Sequence, residues 1–245
     1  MEDNDLTKRE RRELAKEEKR KAQDKQEQNA RLKKYLITLV IVGLLGWLGY
    51  KAYLYVTEPI SEVASAAIEI TDSDWVKGDR QGDVTLVEFG DFQCPACVSY
   101  YPIVKKLSEE IQTDLKIVYK QYPLTQIHKN AFPAARAAGA AGRQGKFWEM
   151  HDVLFEKNSD WVDLGDPRDK FSEFAKEIGL DEQKFQQDYE SKEVEESINA
   201  DQVTGNRIGV NSTPTFYLNA KKVQPKSYDE FKKLIEDEIR GYILE

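Results

Sequence analysis

The two cysteines of this 245-residue chain lie three positions apart, in the sequence Cys94-Pro95-Ala96-Cys97. The chain holds no other thiol, so an intramolecular disulfide can form only between them. The apolar run Val84–Phe89 predicts a buried strand just before the pair, and Pro95 suits the first turn of a helix. At a helix N-terminus, free N–H groups and the macrodipole stabilise a thiolate and lower the pKa of the thiol. We therefore predict that Cys94 is an exposed nucleophile and that Cys97, one turn along, is the buried thiol that resolves a mixed disulfide.

Hydrophobic periodicity predicts the elements that hold this pair in place. A strand, a helix and a second strand follow one another around the pair, and the helix is long enough to join parallel strands. A helical insertion and a β-β-α unit complete the order, which makes the fold class α/β. The predicted segments are a helix to about residue 111 with a kink at Pro102, a strand at 115–120, helices over about 129–206, strands at 215–218 and 222–223, and a last helix with a capping box at 227–230.

Three segments carry a family resemblance: residues 84–97 (VTLVEFGDFQCPAC), 140–155 (AAGRQGKFWEMHDVLF) and 210–219 (VNSTPTFYLN). Together they resemble the DsbA-like thiol–disulfide oxidoreductases over roughly residues 74–243. The resemblance implies a thioredoxin fold with a helical insertion that caps the site. It also implies an enzyme that needs no cofactor or metal and exchanges disulfides with exported proteins or peptides. A second redox protein, in the membrane or outside the cytoplasm, would reset the Cys94–Cys97 disulfide.

The same resemblance implies roles for other residues of the site. Pro214 matches a cis-proline loop that faces the cysteines, although on its own it could be an ordinary trans proline at a strand start. The backbone of Thr213 would then pair with a substrate strand beside Cys94, and Pro95 and Ala96 would contact the substrate. Glu88 matches a buried acid that relays protons to or from the resolving thiol; alternatively it is an exposed strand residue.

The dipeptide between the cysteines departs from the strongest oxidants that this chain resembles, which have histidine there. Pro95-Ala96 cannot stabilise the Cys94 thiolate by a charge or a side-chain hydrogen bond. Because a stabilised reduced form makes a disulfide oxidising, we expect a less oxidising centre than in the histidine-containing relatives. Neither remaining histidine is an obvious substitute: we expect His151 to be a structural residue on an apolar helix face and His128 to lie in a loop or at a helix start.

Residues 35–56 form an apolar run of 22 residues with one charge, Lys51. As a helix the run is ~33 Å long, enough for a hydrocarbon core of ~30 Å. Arg31, Lys33 and Lys34 precede it, so the positive-inside bias predicts a single-pass anchor in the cell membrane with a cytoplasmic N-terminus and an extracytoplasmic catalytic domain. The alternatives are a signal peptide cleaved near residues 64–66 and a buried core helix.

Charge divides the chain on either side of this run. Residues 1–34, a predicted cytoplasmic tail, hold twelve Lys/Arg and nine Asp/Glu, whereas the rest carries a net charge of −11. An acidic body argues against binding nucleic acid, which needs clustered cations. We expect residues 57–80 to be a polar linker and residues 81–245 to form the catalytic domain.

Other functions are open from the residues alone. Cys94, Cys97, His128 and His151 are the Cys and His residues of the chain, and a structural zinc site would need all four. A peptide-binding, chaperone-like module could use the same groove, although binding alone needs neither cysteine. Among exchange reactions, oxidation of exported proteins is favoured because no dimerisation domain is evident. Reductase and isomerase roles stay open.

Overall fold

A mixed sheet of five strands lies at the centre of the domain in the computed structural model, which describes residues 19–21, 25, 33–34, 36–51, 68 and 70–243. Its order is β1-β3-β2-β4-β5, with β2 and β3 parallel and the other neighbours antiparallel. Nearly every residue of β2 and β3 is buried, as in strands that are covered on both faces. The strands are β1 (Trp75–Gly78), β2 (Val84–Gly90), β3 (Leu115–Gln121), β4 (Thr215–Leu218) and β5 (Lys221–Val223).

Two helices cover one face of this sheet. Helix α1 (Pro95–Glu110) joins the parallel strands β2 and β3, as predicted, and contains Pro102. The C-terminal helix, numbered α7 (Tyr228–Ile243), packs beside it. Its Ser227 hydroxyl accepts the Glu230 N–H at 3.2 Å, as in the predicted capping box. Leu107 of α1 and Phe231 of α7 meet apolar side chains of the sheet in one buried cluster.

The insertion lies between β3 and β4, where the sequence predicts it. Its helices are α2 (Ala131–Gly142), α3 (Phe147–Glu156), α4 (Arg168–Glu177), α5 (Glu182–Tyr189) and α6 (Lys192–Arg207), with a 3-10 turn at Asn158–Asp160. The alanine-rich α2 is buried along most of its length, because its small side chains let α3, α5 and α6 approach closely. Asp181 caps α5 as predicted, accepting the Lys184 N–H at 2.8 Å.

The stretch expected to be a polar linker, residues 57–80, contains strand β1 and therefore belongs in part to the domain. Trp75 stacks on Phe147 of α3 with ring centroids 4.6 Å apart. Asp74 is one of the polar residues that favour a linker. It is buried and forms an ion pair with Lys120 of β3. A strand of four residues at the edge of a sheet is too short for its alternation of apolar and polar residues to be recognised in the sequence. The polar residues next to it find their partners far along the chain.

The chain divides into two units, residues 1–58 and 59–245. In the first, residues 36–51 are helical and their large apolar side chains are exposed. Within the described part of the chain, no helix is long and apolar enough to cross a membrane. Most of the predicted tail 1–34, both ends of the predicted span 35–56, and residues 57–67 of the predicted linker lie outside the described residues. The anchor stays a prediction.

Candidate active site

The two cysteines lie at the start of α1, where strand β2 ends. Cys94 is the N-cap residue and Cys97 lies in the first turn, both as free thiols. Cys97 is 0% exposed and therefore buried, as predicted. Cys94 is also buried, at 7% exposed, so the prediction that Cys94 is exposed is wrong. The reason is the loop before β4, which covers Cys94: the Cys94 sulfur lies 3.3 Å from the Thr213 carbonyl oxygen and donates a hydrogen bond to it when the thiol is protonated. Pro95 and Ala96, in contrast, are exposed.

The two thiols differ strongly in acidity. The pKa of Cys94 is lowered to about 5, chiefly by a hydrogen bond from the Cys97 thiol, with further help from the Thr213 side chain and the N–H groups of Cys97 and Ala96. These contacts outweigh partial burial, which acts in the opposite direction. The pKa of Cys97 is raised well above the usual thiol value by burial, by its hydrogen bond to Cys94 and by the charge of Glu88. At neutral pH, Cys94 is therefore a thiolate and Cys97 a thiol.

The Thr213–Pro214 loop faces this pair. Its peptide bond is cis, as the family resemblance implies. Thr213 is buried, and besides its carbonyl it presents a buried hydroxyl that has no hydrogen-bond partner among the described residues. That hydroxyl is close enough to lower the pKa of Cys94. The loop thus brings both a carbonyl and a hydroxyl group to the more acidic thiol.

Glu88 lies beneath the cysteines on β2, on the face that α1 covers. It is 4% exposed, so the alternative of an exposed strand residue is wrong. Burial raises its pKa to about 8, which keeps the carboxyl largely protonated at neutral pH. A narrow cleft leads past Glu88 between α1 and α3, and its lining includes Tyr101, Lys105 and Asp152.

Asp91, at the end of β2, is a site residue that the sequence analysis does not identify. Its carboxylate accepts the N–H groups of Gln93 at 2.8 Å and Leu124 at 3.0 Å, and it lies 2.7 Å from Nδ1 of His128. Its own N–H donates to the Cys97 sulfur at 3.5 Å, and its carbonyl accepts the Cys94 N–H at 3.0 Å. The Asp91–Gln93 contact is a local Asx turn, a pattern that could have signalled it.

The histidines have different partners. His128 lies in the loop after β3, as expected, and binds Asp91. His151 is buried among aromatic rings on α3, with Nδ1 2.9 Å from Asp152, and its burial lowers its pKa. Neither histidine is brought to the cysteines as a ligand. The described residues contain no group of three or more Cys, His, Asp or Glu side chains that could hold a metal ion.

Comparisons with known proteins agree with this geometry. The family model described as thioredoxin matches residues 71–237. The chain is similar to a thioredoxin-like oxidoreductase from Silicibacter pomeroyi, at 29% identity and a TM-score of 0.59, over 70% of this chain and 94% of that one. It shares the fold of the thiol–disulfide exchange protein alpha-DsbA2 from Wolbachia pipientis, at 20% identity and a TM-score of 0.61, over 72% and 96% of the two chains.

A relative of a different kind contains a matching segment. The chain is 36% identical over 151 residues to the Na⁺/H⁺ antiporter NhaA 1 of Salinispora arenicola, which covers 62% of this chain and 22% of that protein. The chain spans only 22% to 30% of the length of such curated relatives. The antiporter name therefore describes a much longer protein than the segment that matches.

Proposed function

The chain belongs to the thioredoxin family and has the fold of the DsbA-like thiol–disulfide oxidoreductases, and we propose that it forms disulfides in exported proteins through Cys94 and Cys97. The observation that carries this proposal is the unequal acidity of the two thiols, a pKa of about 5 for Cys94 beside a strongly raised pKa for Cys97. A thiol of low pKa is a good leaving group in thiol–disulfide exchange. The site is built so that Cys94 leaves readily.

The proposed oxidation has two exchange steps. A substrate thiolate attacks the Cys94 sulfur of the Cys94–Cys97 disulfide, a substrate–Cys94 bond forms, and Cys97 leaves with the electron pair and takes up a proton. A second substrate thiolate then attacks the substrate sulfur of this mixed disulfide. The substrate disulfide forms and Cys94 leaves as the thiolate that its low pKa favours. A partner in the membrane or outside the cytoplasm then accepts two electrons from the thiols and restores the disulfide.

We assign the proton of Cys97 to Glu88. The charge of Glu88 raises the pKa of Cys97, so the two groups are close enough to influence each other electrostatically. With its own pKa near 8, Glu88 is protonated often enough at neutral pH to give a proton and ionised often enough to take one. The cleft lined by Tyr101, Lys105 and Asp152 offers a route between Glu88 and solvent.

Substrates would bind across Cys94 at its exposed neighbours. Pro95 and Ala96 are exposed beside the thiol, and the Thr213–Pro214 loop lies on its other side. The Thr213 backbone would pair with an extended peptide in the β-addition mode, which uses main-chain hydrogen bonds.

The proposed location is the outer side of the cell membrane, with residues 35–56 as an uncleaved anchor. The support is the sequence itself, an apolar run that follows a cluster of cations, together with the exposed apolar side chains of residues 36–50. Protease added to intact cells stripped of their outer layers should remove the catalytic domain and spare residues 1–34. Protection of the domain until the membrane is opened would reject this orientation.

The activity is tested with the full chain in detergent. The oxidised protein is mixed at one equivalent with a reduced peptide that carries two cysteines, and the thiols are trapped with acid and counted by mass. We expect the peptide to gain a disulfide while Cys94 and Cys97 become thiols, and Cys94→Ser to form no product. If the wild-type protein leaves the peptide reduced, the proposal is rejected.

A reductase or isomerase role is the second candidate, and the Pro95-Ala96 dipeptide is the observation that favours it. Alanine next to Cys97 gives the Cys94 thiolate no side-chain donor. The reverse peptide assay, with reduced protein and a disulfide-bonded peptide, measures this direction. Faster peptide reduction than peptide oxidation at equal concentrations would favour it over the first candidate.

A further inference from the structure

We propose that Tyr119 is a positioning residue for Cys97. The Tyr119 hydroxyl donates a hydrogen bond to the Cys97 sulfur when that sulfur becomes a thiolate. The inference rests on the proposed exchange reaction and adds a residue to it. It begins from an anomaly: the Tyr119 hydroxyl is buried and has no hydrogen-bond partner among the described residues. A buried O–H without a partner destabilises a fold, so its presence calls for an explanation.

The strand register brings Tyr119 to the face that carries the active site. Tyr119 of β3 pairs with Glu88 of the parallel strand β2, and paired residues of neighbouring strands share a face of the sheet. That face is covered by α1, which carries Cys97. The ring stacks on Phe92, with centroids 5.1 Å apart, and makes an edge-to-face contact with His151, with centroids 4.8 Å apart.

The glycine at position 90 fixes where the hydroxyl lies. A Cβ atom at Gly90 would be 2.5 Å from the Tyr119 oxygen, so the hydroxyl rests directly against the backbone there. The next residue, Asp91, donates its N–H to the Cys97 sulfur at 3.5 Å. The Tyr119 hydroxyl therefore approaches the same part of the site as the Asp91 N–H.

Cys97 needs such a donor when it ionises. Among the main influences on its thiol, burial, Cys94 and Glu88 all disfavour the thiolate, and only the Asp91 N–H favours it. The pKa of Tyr119 is itself raised well above its usual value by burial and next by the charge of Cys97, so the phenol keeps its proton and acts only as a donor. Beside the neutral thiol, the Tyr119 hydroxyl has no partner in the described part of the chain, and it gains a charged acceptor when the thiolate forms.

The step it assists is the closure of the Cys94–Cys97 disulfide. In a mixed disulfide of Cys94 with glutathione, the Cys97 S–H gives its proton to the Glu88 carboxylate. The Cys97 sulfur then attacks the Cys94 sulfur, their bond forms, and the bond from Cys94 to glutathione breaks. Glutathione leaves with the electron pair as a thiolate. Tyr119 donates to the Cys97 sulfur while it carries negative charge and retains its own proton throughout.

The test uses the reduced full chain and an excess of glutathione disulfide, with acid trapping and mass analysis at set times. The first step, attack of Cys94, is second-order, whereas closure by Cys97 is first-order and independent of glutathione disulfide. We expect Tyr119→Phe to slow closure about ten-fold at pH 7, the effect of one hydrogen bond to a charged group. The midpoint of the pH profile for closure should rise, because the Cys97 thiolate has lost a donor, while the first step keeps its rate.

Tyr217→Phe is the matched control, because Tyr217 is also a fully buried strand tyrosine and its hydroxyl donates to the Ile208 carbonyl. It should leave closure and its pH midpoint unchanged while lowering stability, whereas Tyr119→Phe should not lower stability. Closure at the wild-type rate and pH midpoint in Tyr119→Phe would overturn the proposal, as would equal slowing in Tyr217→Phe. If the wild-type protein forms no disulfide with glutathione disulfide, both the proposed function and the role of Tyr119 are rejected. If the wild-type protein reacts and the Tyr119→Phe variant matches it, only the role of Tyr119 is rejected.

Discussion

Replacing Glu88 with glutamine should stabilise the domain and slow its reaction at the same time. Folding raises the Glu88 pKa from an ordinary 4.5 to about 8 because the carboxyl is buried. Since the folded pKa is the higher one, ionisation opposes folding: the penalty is small below the unfolded pKa and grows as the pH rises towards the folded pKa. From these two values the penalty is about 1 kcal/mol at pH 5 and about 3 kcal/mol at pH 7.

Glutamine cannot ionise, so Glu88→Gln removes this penalty and cannot relay a proton. Urea unfolding of the reduced full chain should show a gain in the free energy of unfolding that increases between pH 5 and pH 8. Glu196→Gln, an exposed glutamate on α6, is the control and should show no such trend. Closure of the mixed disulfide by Cys97 should slow in the Glu88 variant. A stability difference that is constant or shrinks with rising pH would refute the assignment of Glu88 as a buried, ionisable group.

Other consequences of the site are open to direct measurement. Cys97→Ala removes the main hydrogen bond to Cys94, so the pKa of Cys94, followed by thiolate absorbance, should rise from about 5; an unchanged midpoint would contradict the role given to the Cys97 thiol. Asp91→Ala removes the acceptor of three contacts and should lower the free energy of unfolding by about 3 kcal/mol. His128→Ala breaks one of these contacts and should lower it by about 1 kcal/mol. Equal losses of the two variants in urea unfolding would contradict the role of Asp91 as the shared acceptor.

The features of this site that depend only on neighbouring residues can be predicted from the sequence. The strand before Cys94, the helix that starts at Pro95 and the cap at Asp181 each depend on neighbours within a few positions, and the structure has all three. The cis peptide at Pro214 is predicted only through the family resemblance, because nothing in its immediate neighbours requires it.

Features that depend on distant partners are not evident from the sequence. Cys94 is covered by Thr213, which lies 119 positions along the chain, so its burial cannot be deduced from its own helix. Strand β1 is short and has polar residues before and after it, and it is recognisable only once Lys120 is known to face Asp74. Tyr119 lies in an apolar strand, where a tyrosine is expected to be an ordinary core residue. That its hydroxyl has no partner within the described ranges is evident only from the structure around Cys97 and Gly90.

We propose that Cys94 and Cys97 form a reversible, redox-active disulfide, and the equilibrium of the full chain with a series of glutathione buffers tests this. We expect one two-electron transition. A Cys94 pKa of about 5 lies between those of DsbA, about 3.5, and thioredoxin, about 7, so we expect a potential between about −120 and −270 mV. If the two thiols stay free at every glutathione ratio, Cys94 and Cys97 do not form a redox-active disulfide. A potential at about −120 mV would contradict the effect assigned to the Pro95-Ala96 dipeptide.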